Sequence, residues 1–88
     1  LVLWPNPRGF DRRTKNRYGL TAGAADYMGL WSPSGRLVAI ELKTPRGRQS
    51  ADQIEFQALV TRTGGYYALV RSHADVETVL QQLRTGPT

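Results

Sequence analysis

Apolar residues along this chain fall into two patterns, one with the period of a strand and one with the period of a helix. Strand-like runs cover residues 1–4, 26–31, 36–44 and 66–71. Helical spacing relates Phe56, Leu59 and Val60 in one segment, and Val76, Val79, Leu80 and Leu83 in another. The pattern predicts an α/β fold in the order strand, loop, antiparallel β-hairpin, helix, strand, helix.

Residues typical of helix ends flank both helical segments. Ser50 and Gln53 have the spacing of a capping box, and Gly64-Gly65 ends this helix after about residue 63. Ser72 is placed to cap the last helix. With 88 residues, of which 40% are hydrophobic, the chain is predicted to form one domain, residues 1–88, whose thin core would gain from self-association.

The second strand of the predicted hairpin carries an acid and an amine on one face. Because side chains alternate along a strand, Val38, Ile40 and Leu42 share one face. Leu37, Ala39, Glu41 and Lys43 lie together on the other face. A turn centred between Pro33 and Ser34 would put Asp26 directly opposite Glu41. A β-bulge in either strand would shift this register by one residue.

Two facing carboxylates repel each other unless something neutralises their charge. Mg²⁺ would do so, and it prefers oxygen ligands, so its candidate ligands are Asp26, Glu41 and the backbone carbonyl of Leu42. Lys43 could stabilise a phosphate or help deprotonate an attacking water. Together these groups indicate a phosphodiester hydrolase. The simpler alternative is a solvated pair of Glu41 and Lys43 beside an incidental Asp26.

A formal net charge of +5 favours a polyanionic partner, and nucleic acid is the commonest one for a basic domain. The aperiodic segment 8–23 concentrates cations and is predicted to be a basic loop. The alternative is that this loop is only solvated surface. The candidate DNA-binding residues are Asn6, Arg8, Arg12, Arg13, Lys15, Arg17, Tyr18, Arg46 and Arg48.

The chain has no cysteine and one histidine, which excludes thiolate sites and histidine clusters. Any metal must therefore be held by oxygen ligands. No apolar stretch approaches the length of a membrane span, and the first residues lack the layout of a signal peptide. We therefore expect a cytoplasmic protein with no membrane partner.

Several short motifs accompany the predicted elements, and their joint spacing is more specific than any one of them. They are Gly23-Ala24-Ala25-Asp26, Ile40-Glu41-Leu42-Lys43-Thr44, Gly47-Arg48, Ser50-x-x-Gln53, Gly65-Tyr66-Tyr67 and Val70-Arg71-Ser72. In this arrangement almost the whole chain resembles the VRR-NUC family, the virus-type replication-repair nucleases, which belongs to the PD-(D/E)-x-K nuclease superfamily.

The resemblance implies a restriction-endonuclease-like α/β core that binds Mg²⁺, or Mn²⁺ as a substitute, through Asp26 and Glu41. It implies that Lys43 is the catalytic lysine and that Gln53 supports the metal's water or the substrate phosphate. The capping-box role of Gln53 stands beside this one. The implied activity is structure-selective cleavage of DNA, with Holliday-junction resolution by a homodimer as one form of it.

The chain departs from the family pattern in two places. Ala25 stands where the pattern has proline, and no acidic residue precedes Asp11. Family members usually carry an N-terminal helix with a glutamate that completes the site. This helix is missing from the chain, so we expect the chain to bind metal weakly and expect an N-terminally extended version to bind it better. Two alternatives stay open: a catalytically inert DNA-binding module, and a nuclease or interaction domain of a larger repair or helicase protein.

Overall fold

A computed structural model describes residues 1–7, 9–18 and 20–86, with only the backbone for residues 9–11 and 16–18. The elements in this part of the chain are β1 (Val2–Pro5), β2 (Gly9–Asp11), β3 (Asn16–Tyr18), β4 (Tyr27–Trp31), β5 (Arg36–Leu42), α1 (Ala51–Arg62), β6 (Tyr66–Val70) and α2 (His73–Thr85). Neither of these helices is both long enough and apolar enough to cross a membrane.

The larger sheet is mixed and has four strands in the order β1-β4-β5-β6. The β1–β4 and β4–β5 pairs are antiparallel, and the β5–β6 pair is parallel, with α1 as the crossover between its strands. A parallel pair needs such a crossover because a short turn cannot return the chain to the same end of the sheet. The predicted α/β class and the order of the elements in this sheet are confirmed.

The hairpin formed by β4 and β5 has the predicted register. Tyr27 lies opposite Ile40 and Trp31 lies opposite Arg36, so the turn falls where the sequence placed it. No bulge shifts the pairing between these residues. One further step of the same register leads from Tyr27 to Asp26, which immediately precedes β4, and from Ile40 to Glu41.

The predicted alternation of side chains along β5 is confirmed, and its two faces belong to two separate cores. Ala39 belongs to the core beneath α1, whereas Val38 belongs to the core beneath α2. The buried residues of the α1 core are Ala24, Ala25, Ala39, Phe56 and Val60, and those of the α2 core are Val38, Ala68, Val70, Val79 and Leu83. The two helices therefore cover opposite faces of the sheet.

The predicted helix caps are confirmed. The Ser50 hydroxyl accepts a hydrogen bond from the Gln53 peptide nitrogen (3.2 Å), and Oε1 of Gln53 accepts one from the Ser50 peptide nitrogen (2.8 Å). The Ser72 hydroxyl accepts one from the Asp75 peptide nitrogen (3.3 Å) at the start of α2. Each cap satisfies donors that a helix leaves unpaired in its first turn.

The interpretation of segment 8–23 as a loop was wrong in part. Strands β2 and β3 pair as an antiparallel hairpin, with a turn at residues 12–15 between them. Three-residue strands are too short to show an alternation of polar and apolar side chains, which is why the pattern gave no strand signal here.

The first strand also differs from its prediction, because it includes Pro5 instead of ending before it. Pro5 pairs with Tyr27, and β1 is an edge strand of the sheet. Proline lacks a peptide N–H, and an edge strand tolerates this loss where that side of the strand faces away from the sheet.

Segment 23–25 approaches the first turn of α1 so closely that only small residues fit. A Cβ atom added to Gly23, whose φ is +80°, would lie 2.2 Å from the Asp52 carbonyl oxygen and 2.7 Å from the Gln53 peptide nitrogen. Ala24 and Ala25 are fully buried. This contact between main chains sets where the chain enters β4, and it therefore sets the position of Asp26.

We expect Gly23→Ala to destabilise the protein more than Gly35→Ala, its matched control. Both glycines have positive φ, but a Cβ at Gly35 would have no atom within 4 Å. Gly35→Ala should cost about 1 kcal/mol in the free energy of unfolding, from backbone strain alone. Gly23→Ala should cost a further ~1–3 kcal/mol because of steric overlap. Urea unfolding measures both values, and equal costs would contradict the close approach.

Candidate active site

Asp26 and Glu41 meet at the end of the β4–β5 hairpin. Oδ2 of Asp26 accepts a hydrogen bond of 2.8 Å from the peptide nitrogen of Leu42. The Asp26 carboxylate therefore lies beside the peptide bond that joins Glu41 to Leu42. The pair predicted from the hairpin register is brought together, with Asp26 just outside the strand and anchored on the backbone of β5.

Glu41 is the buried member of this pair. Its side chain is 1% exposed, and among the residues that the structure describes, its Oε2 atom has no hydrogen-bond partner. The residue takes part in other interactions. Burying a carboxylate is costly unless hydrogen bonds or an opposite charge compensate for the lost hydration. A cation next to this carboxylate would supply such compensation.

Asp26 is held from two directions. Besides the contact of its carboxylate with Leu42, its carbonyl oxygen accepts a hydrogen bond from the Asn6 peptide nitrogen (2.8 Å). The side-chain amide of Asn6 donates to the Ala25 carbonyl oxygen (3.0 Å). Asn6 is a predicted DNA contact, and in the structure its side chain also links the end of β1 to the residue before Asp26.

Lys43 directly follows β5. By the alternation of side chains it belongs to the same face as Glu41. Its peptide nitrogen donates to the Val70 carbonyl oxygen (3.0 Å), so the pairing with β6 continues past the end of the strand. The side chain is half-buried. The predicted Glu-x-Lys arrangement thus stands on the central part of the sheet, with the acid more deeply buried than the amine.

Gln53 lies in the first turn of α1 and is 9% exposed. The capping box occupies its Oε1 atom, so any contact of Gln53 with a phosphate would come from its amide nitrogen.

A further polar cluster, which no sequence pattern indicated, lies around Gln49. Nε2 of Gln49 donates to Oε1 of Gln57 (2.9 Å) and to the Tyr67 hydroxyl (3.3 Å). These hydrogen bonds link the segment before α1 to the helix and to β6.

The structure locates five of the predicted DNA-binding cations on two exposed turns. Arg12, Arg13 and Lys15 lie between β2 and β3, and Arg46 and Arg48 lie between β5 and α1.

Other members of the predicted DNA-binding set are described less fully. Arg8 lies outside the described residues. The backbones of Arg17 and Tyr18 belong to β3, and their side chains also lie outside the described part of the structure.

The acidic and carbonyl oxygen atoms at this end of the sheet are of the type that hard divalent cations prefer. Within residues 1–7, 9–18 and 20–86, no group of three acidic or histidine side chains is placed to hold a metal. The candidate ligands are therefore the two carboxylates of Asp26 and Glu41 and the carbonyl of Leu42. Mg²⁺ and Mn²⁺ accept such a set because water can complete their coordination.

One shifted pKa lies away from this site. Burial raises the pKa of the Tyr66 hydroxyl, and the positive charge of Arg36 lowers it in part. The Arg36 guanidinium lies 5.7 Å from the centre of the Tyr66 ring. Since Tyr66 begins β6 and pairs with Val38, it is at the opposite end of the strand from the carboxylates.

Comparisons with known proteins found no relative of this chain. No protein-family model, curated protein or solved structure matches the chain.

We expect Glu41→Gln to preserve the stability of the metal-free protein and to abolish stabilisation by metal. Glutamine keeps the shape of the side chain and can still accept and donate hydrogen bonds, so the free energy of unfolding should change little. In the wild type, Mg²⁺ at about 100 times its dissociation constant should add about 2.7 kcal/mol.

Urea unfolding with and without Mg²⁺ measures both effects of Glu41→Gln. The matched control is Glu55→Gln, an exposed acid on α1 that should change neither quantity. A marked loss of stability in metal-free Glu41→Gln would assign Glu41 a structural role instead.

Proposed function

We propose that this protein is a metal-dependent endonuclease that hydrolyses phosphodiester bonds in DNA, with a restriction-endonuclease-like core of the VRR-NUC type. The observation that carries the proposal is the hydrogen bond from the Leu42 peptide nitrogen to the Asp26 carboxylate, directly beside buried Glu41. Lys43 follows on the same face. An acid pair with an adjacent amine can hold a cation and a phosphate together.

Hydrolysis adds water across a P–O bond. The water oxygen bonds to phosphorus, the bond to the leaving sugar oxygen breaks, and that oxygen takes up a proton. A bound Mg²⁺ or Mn²⁺ would supply Lewis-acid polarisation of the phosphate and a more acidic water. In this proposal Asp26 and Glu41 hold the cation, together with the carbonyl of Leu42.

The remaining groups have electrostatic and orienting roles in this proposal. The Lys43 ammonium stabilises the negative charge that grows on the phosphate, or orients the attacking water. Gln53 donates from its amide nitrogen to a phosphate oxygen or to a water, while its carbonyl oxygen keeps the helix cap. Lys43 and Gln53 both lie near the end of the sheet that carries the two carboxylates.

DNA binding is assigned to the two basic turns. Arg12, Arg13 and Lys15 on one turn and Arg46 and Arg48 on the other are exposed, as phosphate contacts require. Arg8, Arg17 and Tyr18 belong to the same proposal by their position in the sequence. Such contacts depend on charge and carry little base specificity.

We further propose that branched DNA is the preferred substrate and that a homodimer is the working unit. Two sites related by a two-fold axis could cut two symmetric strands of a Holliday junction in one encounter. The exposed apolar side chains of Val2, Trp4 and Leu30 leave part of the sheet available for a second subunit or for a helix preceding Leu1.

An alternative is a DNA-binding module without activity, within a larger repair protein or alone. The observation that favours it is the small number of acidic ligands, since no third acid joins Asp26 and Glu41 in the described residues. The two functions make opposite predictions for the same assay, because an inert module binds DNA and leaves it uncut.

We expect the protein to cut supercoiled plasmid and four-way junctions in Mg²⁺ or Mn²⁺, and chelator to stop the reaction. Asp26→Asn, Glu41→Gln and Lys43→Ala should each lower the rate by at least about 100-fold, because each removes a charge from the reacting centre. Gel electrophoresis of the products measures the rate.

The controls for this assay are Glu55→Gln and Arg62→Ala, which remove exposed charges from α1. Both variants should cut at the wild-type rate. Uncut DNA with every metal, despite measurable binding, would favour the inert module. Full activity of folded Glu41→Gln would exclude the proposed centre.

We expect Arg46→Gln with Arg48→Gln to weaken binding similarly for all DNA sequences and to flatten its salt dependence. The slope of log affinity against log salt should change by roughly 0.9 for each DNA phosphate that the variant no longer neutralises. Fluorescence anisotropy at several salt concentrations measures it. Arg62→Gln with Arg84→Gln removes the same charge from the far ends of α1 and α2 and should change the slope less.

A further inference from the structure

Arg71 leaves the sheet directly beside Lys43. The peptide nitrogen of Lys43 donates to the Val70 carbonyl oxygen (3.0 Å), one step beyond the paired residues Leu42 and Val70. Arg71 follows Val70 in the chain. Lys43 and Arg71 therefore directly follow two neighbouring parallel strands, at the same end of the sheet.

The guanidinium of Arg71 reaches across to the turn that follows Lys43. Its Nη1 atom donates hydrogen bonds to the carbonyl oxygens of Thr44 (2.8 Å) and Gly47 (2.6 Å). The Gly47 peptide nitrogen itself donates to the Thr44 carbonyl oxygen (3.0 Å). One side chain thus joins both ends of the turn 44–47, and hydrogen bonds from a charged donor are stronger than those between neutral groups.

The backbone of Arg71 is fixed as well. Its peptide nitrogen donates to Oδ2 of Asp75 (2.8 Å) in the first turn of α2, and Ser72 caps that same turn. A continuous chain of hydrogen bonds therefore runs from α2 through Arg71 to the turn 44–47.

This turn packs against the side chain of Lys43. A Cβ atom added to Gly47 would lie 3.5 Å from Cδ of Lys43 and 3.0 Å from Oγ1 of Thr44. The half-buried stem of Lys43 therefore lies on the turn that Arg71 holds, and the same turn carries exposed Arg46.

We propose that Arg71 is a positioning residue for the nuclease reaction. It keeps the turn 44–47 closed, and the closed turn directs the Lys43 ammonium toward the reacting phosphate and presents Arg46 to the DNA backbone. This inference rests on the proposed nuclease function. Arg71 acts through the turn and needs no contact with DNA.

Arg71→Lys separates geometry from charge, because lysine keeps the charge and loses the planar fork of donors. We expect kcat to fall by about 10- to 100-fold, because a small misplacement of a catalytic group has costs of this order. KM should rise by a smaller factor, since Arg46 on the same turn is presented less well to the DNA. The control is Arg36→Lys, since Nε of Arg36 also donates to a main-chain carbonyl, that of Gly64 (2.9 Å), far from Lys43. A change confined to KM would overturn the inference, because it would show that Arg71 binds DNA itself.

A second measurement does not depend on catalysis, because Arg46 and Arg48 are both trypsin cleavage sites in the connection that Arg71 holds. We expect Arg71→Gln to be cut several-fold faster at these two sites and at the wild-type rate after Arg62 in α1, since only local opening becomes easier. Mass spectrometry of the fragments identifies the sites. Unchanged cleavage after Arg46 and Arg48 would overturn the inference.

The two measurements fail in distinguishable ways. If the wild type cuts no DNA, the proposed function fails, and the trypsin comparison still decides whether Arg71 holds the turn. If Arg71→Gln unfolds, it is cut at all sites alike, and the same digestion of Arg71→Lys then decides. Wild-type kcat in Arg71→Lys together with a protected turn would refute the positioning role.

Discussion

The buried carboxylate of Glu41 is the constraint to which the rest of the site is fitted. It lies on β5, opposite Leu69 of β6 and one residue beyond the last residue of β5 that pairs with β4. With 1% exposure, the carboxyl group has almost no contact with water. Asp26 brings a second acid beside the peptide bond that joins Glu41 to Leu42. In the proposed function, a divalent cation is the shared partner of these two acids.

Local signals in the sequence predicted much of the frame around these acids. The hairpin register follows from the position of one turn, and the capping box follows from the spacing of Ser50 and Gln53, so both could be read from adjacent residues. The interactions that complete the site join residues far apart in sequence. Arg71 reaches Thr44 and Gln49 reaches Tyr67, and neither pair has a pattern that marks it. The hairpin β2–β3 escaped prediction because its strands are too short to show a period.

The small residues of segment 23–25 are explained by a contact that the sequence does not show. The small residues before Asp26 are conspicuous in the sequence, but their reason is a contact between main chains: Gly23 faces the carbonyl of Asp52 at a distance that admits no Cβ. The absence of larger side chains lets the two main chains pack closely, and this contact fixes the position of the backbone before Asp26. The carboxylate of Asp26 can then reach the peptide nitrogen of Leu42 from outside the strand.

In the proposed nuclease, the basic turn between β5 and α1 has an electrostatic role beyond attracting DNA. A polyanion that approaches the two acids Asp26 and Glu41 would be repelled by their charge at the proposed position of the scissile phosphate. Three cations lie in the first residues after β5 and offset that repulsion locally: Lys43, Arg46 and Arg48. Hydrogen bonding to Arg71 keeps part of this charge in a defined turn instead of on a freely moving segment. In the proposed function, the acids therefore hold a small cation below the surface, and the exposed cations make the contact with the DNA backbone.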